Sequence, residues 1–283
     1  MKPPPFDYVR PASTAEAVEV LAADEDARPL AGGQSLLPMM NFRLARPSTL
    51  VDIGRLPGLA DLHRDDGVLV IGAATRQRTV ETSPLVARSC PLLAAALRHV
   101  GHHQIRTRGT LGGSLAHADP AAELGAAAVA LDAEVVATGP AGERTLPAAE
   151  LVVAPYQTSL RQEEVLTATR WPVRGGQRHG FAEIARRAGD FALAGVAAVL
   201  ELDGAEVARA RLVGLGIGGT VRRLPEAEQA LHHRPLTDES IDAAAEAAAE
   251  SVDPPEDVHA DTATRRAALR AAARRALEQT CHD

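Results

Sequence analysis

Hydrophobic and polar residues near the start of the chain predict a strand, a helix and a second strand. From Thr14 to Ala23 the apolar residues recur at the spacing of one helix face, and Ser13 or Thr14 is a suitable N-cap. The chain is then briefly extended from Arg28 to Ala31, where it enters two glycines. After a short stretch at 36–42, a further strand is predicted at Thr49–Ile53.

A second block begins near Gly54 and mixes strands with helices. A strand is predicted at Val68–Ile71, and residues 80–100 are mostly helical with interruptions near Pro84 and Pro91. The glycine-rich residues 109–115 are predicted to form a loop.

The rest of this block is predicted as one helix followed by strands. Asp119 is a suitable N-cap and Pro120 suits the first helical position, so a helix is expected from there to about Leu131. Strands then alternate with turns as far as Pro172.

A domain boundary is predicted at the polar, glycine-containing stretch 174–177, which divides the chain into domains 1–174 and 175–283. The first domain is expected to comprise subdomains of about 1–53 and 54–174. The second is predicted to hold an antiparallel sheet followed by a helix bundle, an α+β arrangement with a hairpin turn at Asp203-Gly204. Its expected strands are Phe181–Ile184, Val196–Leu202 and Val207–Val213, and its expected helices are Glu226–His232, Ser240–Val252 and Thr262–Glu278.

Charge and residue composition restrict the ligands and binding partners that the chain is expected to have. The formal net charge of −7 argues against nucleic acid. Lys2 is the only lysine, so a phosphate site must use arginine, helix ends or backbone N–H groups. Cys90 and Cys281 form no metal, cluster or disulfide pattern. No signal peptide or transmembrane segment is predicted, which favours a cytoplasmic protein that could still sit at a membrane surface through a partner.

The first candidate site is the segment Ala31-Gly32-Gly33-Gln34-Ser35-Leu36. Adjacent glycines let the backbone approach a ligand closely, and consecutive N–H groups can form an anion-binding nest. Ser35 adds a hydroxyl donor. Taken alone, this segment is read more readily as a plain turn between a strand and a helix.

The second candidate site again combines two glycines with hydroxyl donors. It precedes a predicted helix N-terminus, whose N–H groups suit anions. Two such segments could share one dinucleotide, although a plain turn stays open here too. The segment comprises Thr110, Leu111, Gly112, Gly113 and Ser114, followed by Ala116, His117, Ala118, Asp119 and Pro120.

Two other patterns are set aside. Residues 214–219 match G-x-G-x-x-G, but the preceding strand belongs to a predicted hairpin rather than to the βαβ unit that a Rossmann fingerprint needs. The histidines His99, His102 and His103 have no carboxylate at ligand spacing, so exposed or capping roles are favoured over metal binding. His117 could contact a ligand or serve packing.

The two Gly-Gly segments, together with the Arg-Arg-x-Gly-Asp-Phe pattern of 186–191, carry a family resemblance. The chain resembles the FAD-binding medium subunits of molybdenum hydroxylases, which include relatives of carbon monoxide dehydrogenase, xanthine dehydrogenase and aldehyde oxidase. The resemblance covers nearly the whole chain, with further matches at 6–11, 43–47, 50–53, 104–109, 265–266 and 274–278.

The resemblance implies an α+β fold in two parts. The first is the flavin-binding domain of vanillyl-alcohol-oxidase (PCMH) type, and the second is a three-stranded antiparallel sheet with a helix bundle. Residues 31–35 would wrap the FAD pyrophosphate, with Leu36 next to them as a further cofactor contact, and 110–114 would form the second cofactor segment. Further cofactor contacts are expected from His117, Asp119, Glu123, Leu166, Asp190 and Phe191.

Three of these positions depart from the usual family residues, and each departure is expected to tune the site. Ser114 stands in place of Asn, Phe191 in place of the Tyr of carbon monoxide dehydrogenase relatives, and Glu123 where many members have Asp. Ser114 keeps a polar group with a shorter reach, and Phe191 keeps the stacking surface without the phenol.

The resemblance also implies an electron-relay role with no catalytic residue or metal on this chain. Electrons would come from a large molybdenum subunit through the 2Fe–2S clusters of a small iron–sulfur subunit, reach FAD here, and leave to an external acceptor. A dimer of heterotrimers is expected. The alternatives are a standalone flavin oxidoreductase and a non-catalytic assembly protein that has lost FAD.

Overall fold

The computed structural model of the protein describes residues 1–281. The chain starts with a small parallel sheet in the order β1-β3-β2, and Ser13 caps the first helix by accepting a hydrogen bond from the Glu16 amide at 3.2 Å. One face of that helix is buried against β3, as its apolar spacing predicts. The elements are β1 (Asp7–Val9), α1 (Thr14–Ala23), β2 (Arg28–Leu30), α2 (Leu36–Asn41) and β3 (Thr49–Asp52).

Six helices follow a first β-hairpin. Two of them begin with Pro84 and Pro91, because proline suits the first turn of a helix and ends the one before it. The predicted interruptions are therefore confirmed. The elements are β4 (Leu62–Asp65), β5 (Val68–Gly72), α3 (Gln77–Thr82), α4 (Pro84–Ser89), α5 (Pro91–Leu97), α6 (His103–Arg108), α7 (Leu111–His117) and α8 (Glu123–Ala130).

An antiparallel five-stranded sheet forms the centre of this region, in the order β4-β5-β10-β6-β7. Trp171 on the central strand is completely buried in the main core together with Leu69 and the helices α5 and α8. The remaining elements are β6 (Glu134–Gly139), β7 (Gly142–Pro147), a 3-10 turn at Ala148–Glu150, β8 (Val152–Ala154), β9 (Gln157–Thr158) and β10 (Val165–Pro172).

The C-terminal region is an antiparallel sheet between two helical layers. One face of the sheet packs on α9 and α11, which α10 covers in turn, and the other face packs on α5 and α8. The predicted strands and helices are confirmed, with a two-residue fourth strand added at the edge. The elements are β11 (Gln177–Ala185), β12 (Ala192–Asp203), β13 (Glu206–Leu215), β14 (Arg222–Arg223), α9 (Pro225–Leu231), α10 (Asp238–Glu250) and α11 (Thr262–Gln279).

Two local features of this sheet are the close approach of α11 at a glycine and the hairpin between β12 and β13. Gly180 on β11 lies so close to α11 that a Cβ there would collide with the Ala276 carbonyl oxygen. The β12–β13 pairing is antiparallel across Asp203-Gly204, so the 214–219 glycines follow a hairpin and not a βαβ crossover. Setting aside the Rossmann interpretation was therefore correct.

Two predictions near the second Gly-Gly segment were wrong. Residues 111–117 form a helix and not a loop, because the Thr110 hydroxyl caps it by accepting from the Gly113 amide at 3.1 Å. The next helix starts at Glu123 and not at Asp119-Pro120. Asp119 instead closes a turn: its Oδ1 accepts from the Ala121 amide at 2.9 Å, and its carbonyl accepts from the Ala122 amide at 3.0 Å.

Candidate functional site

A large cavity lies where the parallel sheet, the five-stranded sheet and the β11–β12 connection meet. Its volume is about 860 Å³, within the usual range for cofactor pockets. Both Gly-Gly segments line it, as do Leu166 from β10 and Gly189 from the β11–β12 connection. Every predicted site residue contributes to its wall except Leu111, which is fully buried in the core and does not line this cavity.

The first Gly-Gly segment supplies free backbone donors. Its glycines are needed where they stand: Gly33 has φ of +71°, and a Cβ on Gly32 would lie 2.7 Å from the Gly109 Cα. Within residues 1–281, the backbone amides of 32–35 donate no hydrogen bond, and the Ser35 hydroxyl caps nothing. Four consecutive unpaired N–H groups on a cavity wall form the kind of nest that binds an anion.

The second Gly-Gly segment has a different role, because its amides are already used. The N–H of Leu111 donates to Thr75 O at 3.0 Å and that of Gly112 to Ala73 O at 2.9 Å, while the Gly113 N–H goes to the Thr110 cap. The first turn of α7 therefore offers no free amide at these three positions. The sequence predicted anion-binding N–H donors in both segments. In the structure, the run of unpaired backbone N–H groups belongs to the first segment.

The glycines of α7 serve close approach instead. A Cβ on Gly112 would lie 2.8 Å from the Ala73 Cα, so α7 packs directly on the backbone after β5. A Cβ on Gly113 would lie 2.6 Å from Thr110 Oγ1 and 3.3 Å from the Ala31 Cβ. Gly113 thus keeps open the space between the two segments.

Buried ionisable groups line one side of the cavity. Burial and, to a smaller extent, the nearby carboxylates of Glu183 and Asp119 raise the pKa of Glu123, which is 9% exposed, to about 8. Burial lowers the pKa of His117, against the opposing effect of Asp119. Near neutral pH these two side chains are therefore mostly uncharged, so this wall presents a neutral carboxylic acid and a neutral imidazole.

Tyr156 joins this wall beside His117, with the two ring centroids 5.3 Å apart. Burial and then the neighbouring Asp119 carboxylate raise the pKa of the phenol. Tyr156 is a residue that no sequence pattern had singled out.

The β11–β12 connection lies at the cavity mouth. Phe191 is 74% exposed there, next to Asp190. Gly189 has φ of +85°, and a Cβ on it would lie 2.5 Å from the imidazole of His102, so the connection rests on that ring. Leu166 is 5% exposed and adds apolar surface inside the cavity. A flat apolar group could lie between this inner surface and the exposed Phe191 ring.

Two further residues of the wall were missed by sequence reasoning. Gln77 is buried, and its Oε1 has no hydrogen-bond partner within the described residues, which leaves an acceptor for a bound ligand. Arg28 brings a guanidinium to the cavity and donates from Nη1 to Gln162 Oε1 at 2.9 Å. Because the chain has a single lysine, an arginine four residues before Gly32 could have been predicted as a ligand contact, and that residue is Arg28. No sequence pattern pointed to Gln77.

The three histidines occupy separate surroundings. His99 Nδ1 lies 3.4 Å from Glu183 Oε1, and its ring stands 5.1 Å from that of Phe181. His102 and His103 are exposed, and the His102 side chain caps nothing although it stands at the N-cap of α6. Among residues 1–281, no three His, Cys, Asp or Glu side chains are placed to hold a metal ion.

The cavity therefore suits an elongated ligand with an anionic middle and a flat apolar end. The free amides of 32–35 would bind the anion, Gln77 would accept a hydrogen bond, and the space between Leu166 and Phe191 would take the flat group. No helix in the described part of the chain has the length and apolar character of a membrane span.

Comparisons with known proteins agree with this geometry. A family model described as the FAD binding domain in molybdopterin dehydrogenase matches residues 4–174, and one described as the CO dehydrogenase flavoprotein C-terminal domain matches 179–280. The alpha subunit of the 6-hydroxypseudooxynicotine dehydrogenase complex of Paenarthrobacter nicotinovorans is 45% identical over 87% of this chain and 84% of its own length.

The chain is also similar to the medium chain of carbon monoxide dehydrogenase, both in sequence and in structure. The medium chain from Hydrogenophaga pseudoflava is 38% identical over 87% of this chain and 86% of its own length. In the crystal structure of that enzyme lacking the Mo-pyranopterin moiety, the matching chain superimposes with a TM-score of 0.96 at 38% identity, covering 100% of this chain and 99% of that one.

Proposed function

The chain belongs to the FAD-binding medium subunits of molybdenum hydroxylase-type oxidoreductases, and on that premise we propose that it relays electrons from partner-held 2Fe–2S clusters to an external acceptor. The observation that supports this role best is the run of unpaired amides at 32–35 on the wall of a cavity large enough for a dinucleotide. Bound FAD would supply a centre that takes up and releases electrons.

We assign the FAD pyrophosphate to the first Gly-Gly segment. The amides of Gly32, Gly33, Gln34 and Ser35 would donate to its oxygens, with the backbones of Ala31 and Leu36 at the ends of the segment. The second segment would shape the opposite wall. Thr110 caps α7, Gly112 and Gly113 allow the close approach of neighbouring segments, and Ser114 lines the same cavity.

The flavin ring is assigned to the far end, between Leu166 and the pair Asp190 and Phe191. Glu123 would donate a hydrogen bond as a neutral acid, because burial holds its pKa near 8. His117 and Asp119 complete this wall, and Gln77 would accept from a ligand hydroxyl or amine. These roles amount to binding, orientation and exclusion of water.

The proposed partners are a small iron–sulfur subunit and a large molybdenum subunit, assembled as a dimer of heterotrimers in the cytoplasm. The relatives described above are a subunit of a dehydrogenase complex and a medium chain of carbon monoxide dehydrogenase, which supports a role beside other subunits. We also propose that residues 1–174 and 175–283 act as two domains, although they share one core through Phe181 and Val213.

A glycine substitution tests the cofactor assignment. Gly113→Val would place side-chain atoms between Thr110 and Ala31, so FAD affinity should fall by on the order of tenfold or more. Gly175→Val is the matched control, because a Cβ there meets nothing within 4 Å. Flavin fluorescence titration measures both affinities, and circular dichroism checks the fold. Equal FAD affinity in the Gly113 variant and the wild type would refute this assignment.

The relay itself is tested in the assembled complex. Clusters reduced with dithionite should be reoxidised on addition of a physiological type of acceptor, such as a quinone, a cytochrome, NAD or oxygen, only when the flavin is present. Cluster spectra of the wild-type complex and of a complex carrying the Gly113 variant give the comparison. Equally fast reoxidation without flavin would contradict the relay and favour the assembly-protein alternative.

A further inference from the structure

A second cavity lies behind the first Gly-Gly segment. Its volume is about 390 Å³, and it shares only Leu30 and residues 31–33 with the proposed FAD cavity. The glycine segment is therefore a thin wall between two cavities. The role proposed above accounts for the FAD side of this wall and leaves the other side unexplained.

The topology of the small parallel sheet creates this second cavity. Arg10 follows β1, the Gly32 segment follows β2, and Arg55 follows β3, so all three lie at the carboxyl edge of the same sheet. Crevices at the carboxyl edge of parallel strands are common ligand sites in α/β sheets. Arg76 and Arg108 reach the same crevice from the start of α3 and the end of α6.

The charge of this crevice is strongly positive. Four guanidinium groups line it against a single carboxylate, that of Asp52. Asp52 already accepts hydrogen bonds from the Tyr8 hydroxyl and, at 2.9 Å, from the Gly54 amide. None of the four arginines forms an ion pair within residues 1–281, although the protein as a whole has more acidic than basic residues.

Arg76 is the half-buried floor of the crevice. Its Nη1 donates to the carbonyl oxygen of Arg108, which fixes the guanidinium in place. Burial and then the positive charge of Arg108 lower the pKa of Arg76. Guanidinium groups gathered in this way repel one another, and a bound anion would relieve the repulsion.

The remaining wall of the crevice indicates a ligand larger than an inorganic ion. Leu30 and Leu37 give an apolar side, and the Tyr8 ring is 54% exposed. A volume of about 390 Å³ also exceeds what one phosphate group fills and lies at the lower end of small-ligand pockets. Guanidinium groups bind phosphate oxygens in pairs, with better geometry than a lysine would give.

We propose that this crevice, formed by Arg10, Arg55, Arg76 and Arg108, binds a phosphate group carried by a small molecule, separately from FAD. The phosphate lies among the guanidinium groups, and any organic part lies against Leu30 and Leu37. Because Gly32 and Gly33 line both cavities, occupancy of the crevice also changes FAD affinity. That coupling rests on the proposed function, whereas the phosphate site does not.

Isothermal titration of the full chain with inorganic phosphate and with glycerol 3-phosphate, at constant ionic strength, tests the site. Saturable binding is expected for the wild type, weakened at least tenfold in the double variant Arg55→Gln, Arg108→Gln. The double variant Arg88→Gln, Arg275→Gln removes two positive charges at exposed arginines outside the crevice. It is the charge-matched control and should bind like the wild type. Tighter binding of glycerol 3-phosphate identifies a phosphoester ligand, and equal binding identifies free phosphate.

Three results would overturn the site. One is no saturable binding of either probe to the wild type. The second is equal weakening in the control Arg88→Gln, Arg275→Gln, which would show only general charge attraction. The third is loss of binding in Arg28→Gln but not in the double variant Arg55→Gln, Arg108→Gln, which would place the anion in the FAD cavity. Circular dichroism confirms folding of each variant. FAD retention without phosphate binding would refute this inference alone, and phosphate binding without FAD retention would refute the proposed function alone.

Discussion

Replacing Glu123 by glutamine should remove a large pH-dependent contribution to the stability of the chain. The carboxyl is 9% exposed, and burial raises its pKa from an ordinary 4.5 to about 8. The folded chain therefore holds this proton more tightly than the unfolded chain does. The sign follows from linkage: the stability due to Glu123 is complete below its unfolded pKa and is lost as the pH rises through its folded pKa.

The size of the effect follows from the difference between the two pKa values. Each pKa unit corresponds to about 1.4 kcal/mol, so the complete loss approaches about 5 kcal/mol. Between roughly pH 5 and pH 8 the free energy of unfolding should fall by about 3 kcal/mol because of this group. Glutamine keeps the shape of the neutral acid and cannot ionise, so the variant should lack this part of the pH dependence.

Urea unfolding of the flavin-free chain across this pH range gives the measurement. Fluorescence of Trp171 reports on the correct region, because it is the only tryptophan and is completely buried on β10. The exposed Glu19 provides the control variant Glu19→Gln. The reasoning is refuted if the stability difference between wild type and Glu123→Gln stays constant from pH 5 to pH 8, or if Glu19→Gln shows the same trend.

Three further predictions concern packing and reactivity. Gly180→Ala should destabilise the chain by about 3 kcal/mol in urea unfolding, because its Cβ would meet the backbone of α11; unchanged stability would contradict that contact. Arg265→Ala should cost about 3 kcal/mol, because Arg265 is buried and donates to two backbone carbonyls, while the exposed Arg275→Ala on the same helix should cost little. Burial raises the pKa of the Cys90 thiol to about 12, so a thiol reagent at pH 8 should label Cys281 in the native chain and label Cys90 only in urea; labelling of both in the native chain would refute the burial argument.

Much of the fold could be predicted because local sequence signals and tertiary packing agree. The helix at Thr14–Ala23 has both a cap and an apolar face, and prolines mark the starts of α4 and α5. The hairpin at Asp203-Gly204 set the antiparallel direction of β12 and β13.

The helix α7 escaped prediction because its stabilisation is not local. Two glycines in seven residues have poor helix propensity. The helix is held by its Thr110 cap and by contact with the backbone at Ala73, which only a glycine at 112 permits. Neither that contact nor the bonding of the Leu111 and Gly112 amides to the carbonyls of Thr75 and Ala73 could be read from sequence spacing.

The part of the candidate site that lies within sequence motifs could be predicted, and the part outside them could not. The first Gly-Gly segment was assigned donors by its composition, and the structure leaves those donors unpaired. Gln77 and Tyr156 were missed because they come from α3 and from the turn between β8 and β9, which only the tertiary fold brings to the cavity. Residues that join a site from distant, motif-free segments carry no local signal.

The central claim is that this chain binds FAD in the cavity between its two Gly-Gly segments. The most direct measurement is the absorption spectrum of the chain, purified with its partner subunits, after incubation with FAD and desalting. The account predicts stoichiometric flavin bands, with loss of those bands in Gly113→Val and retention in Gly175→Val. An assembled wild-type complex that remains free of flavin would contradict the claim.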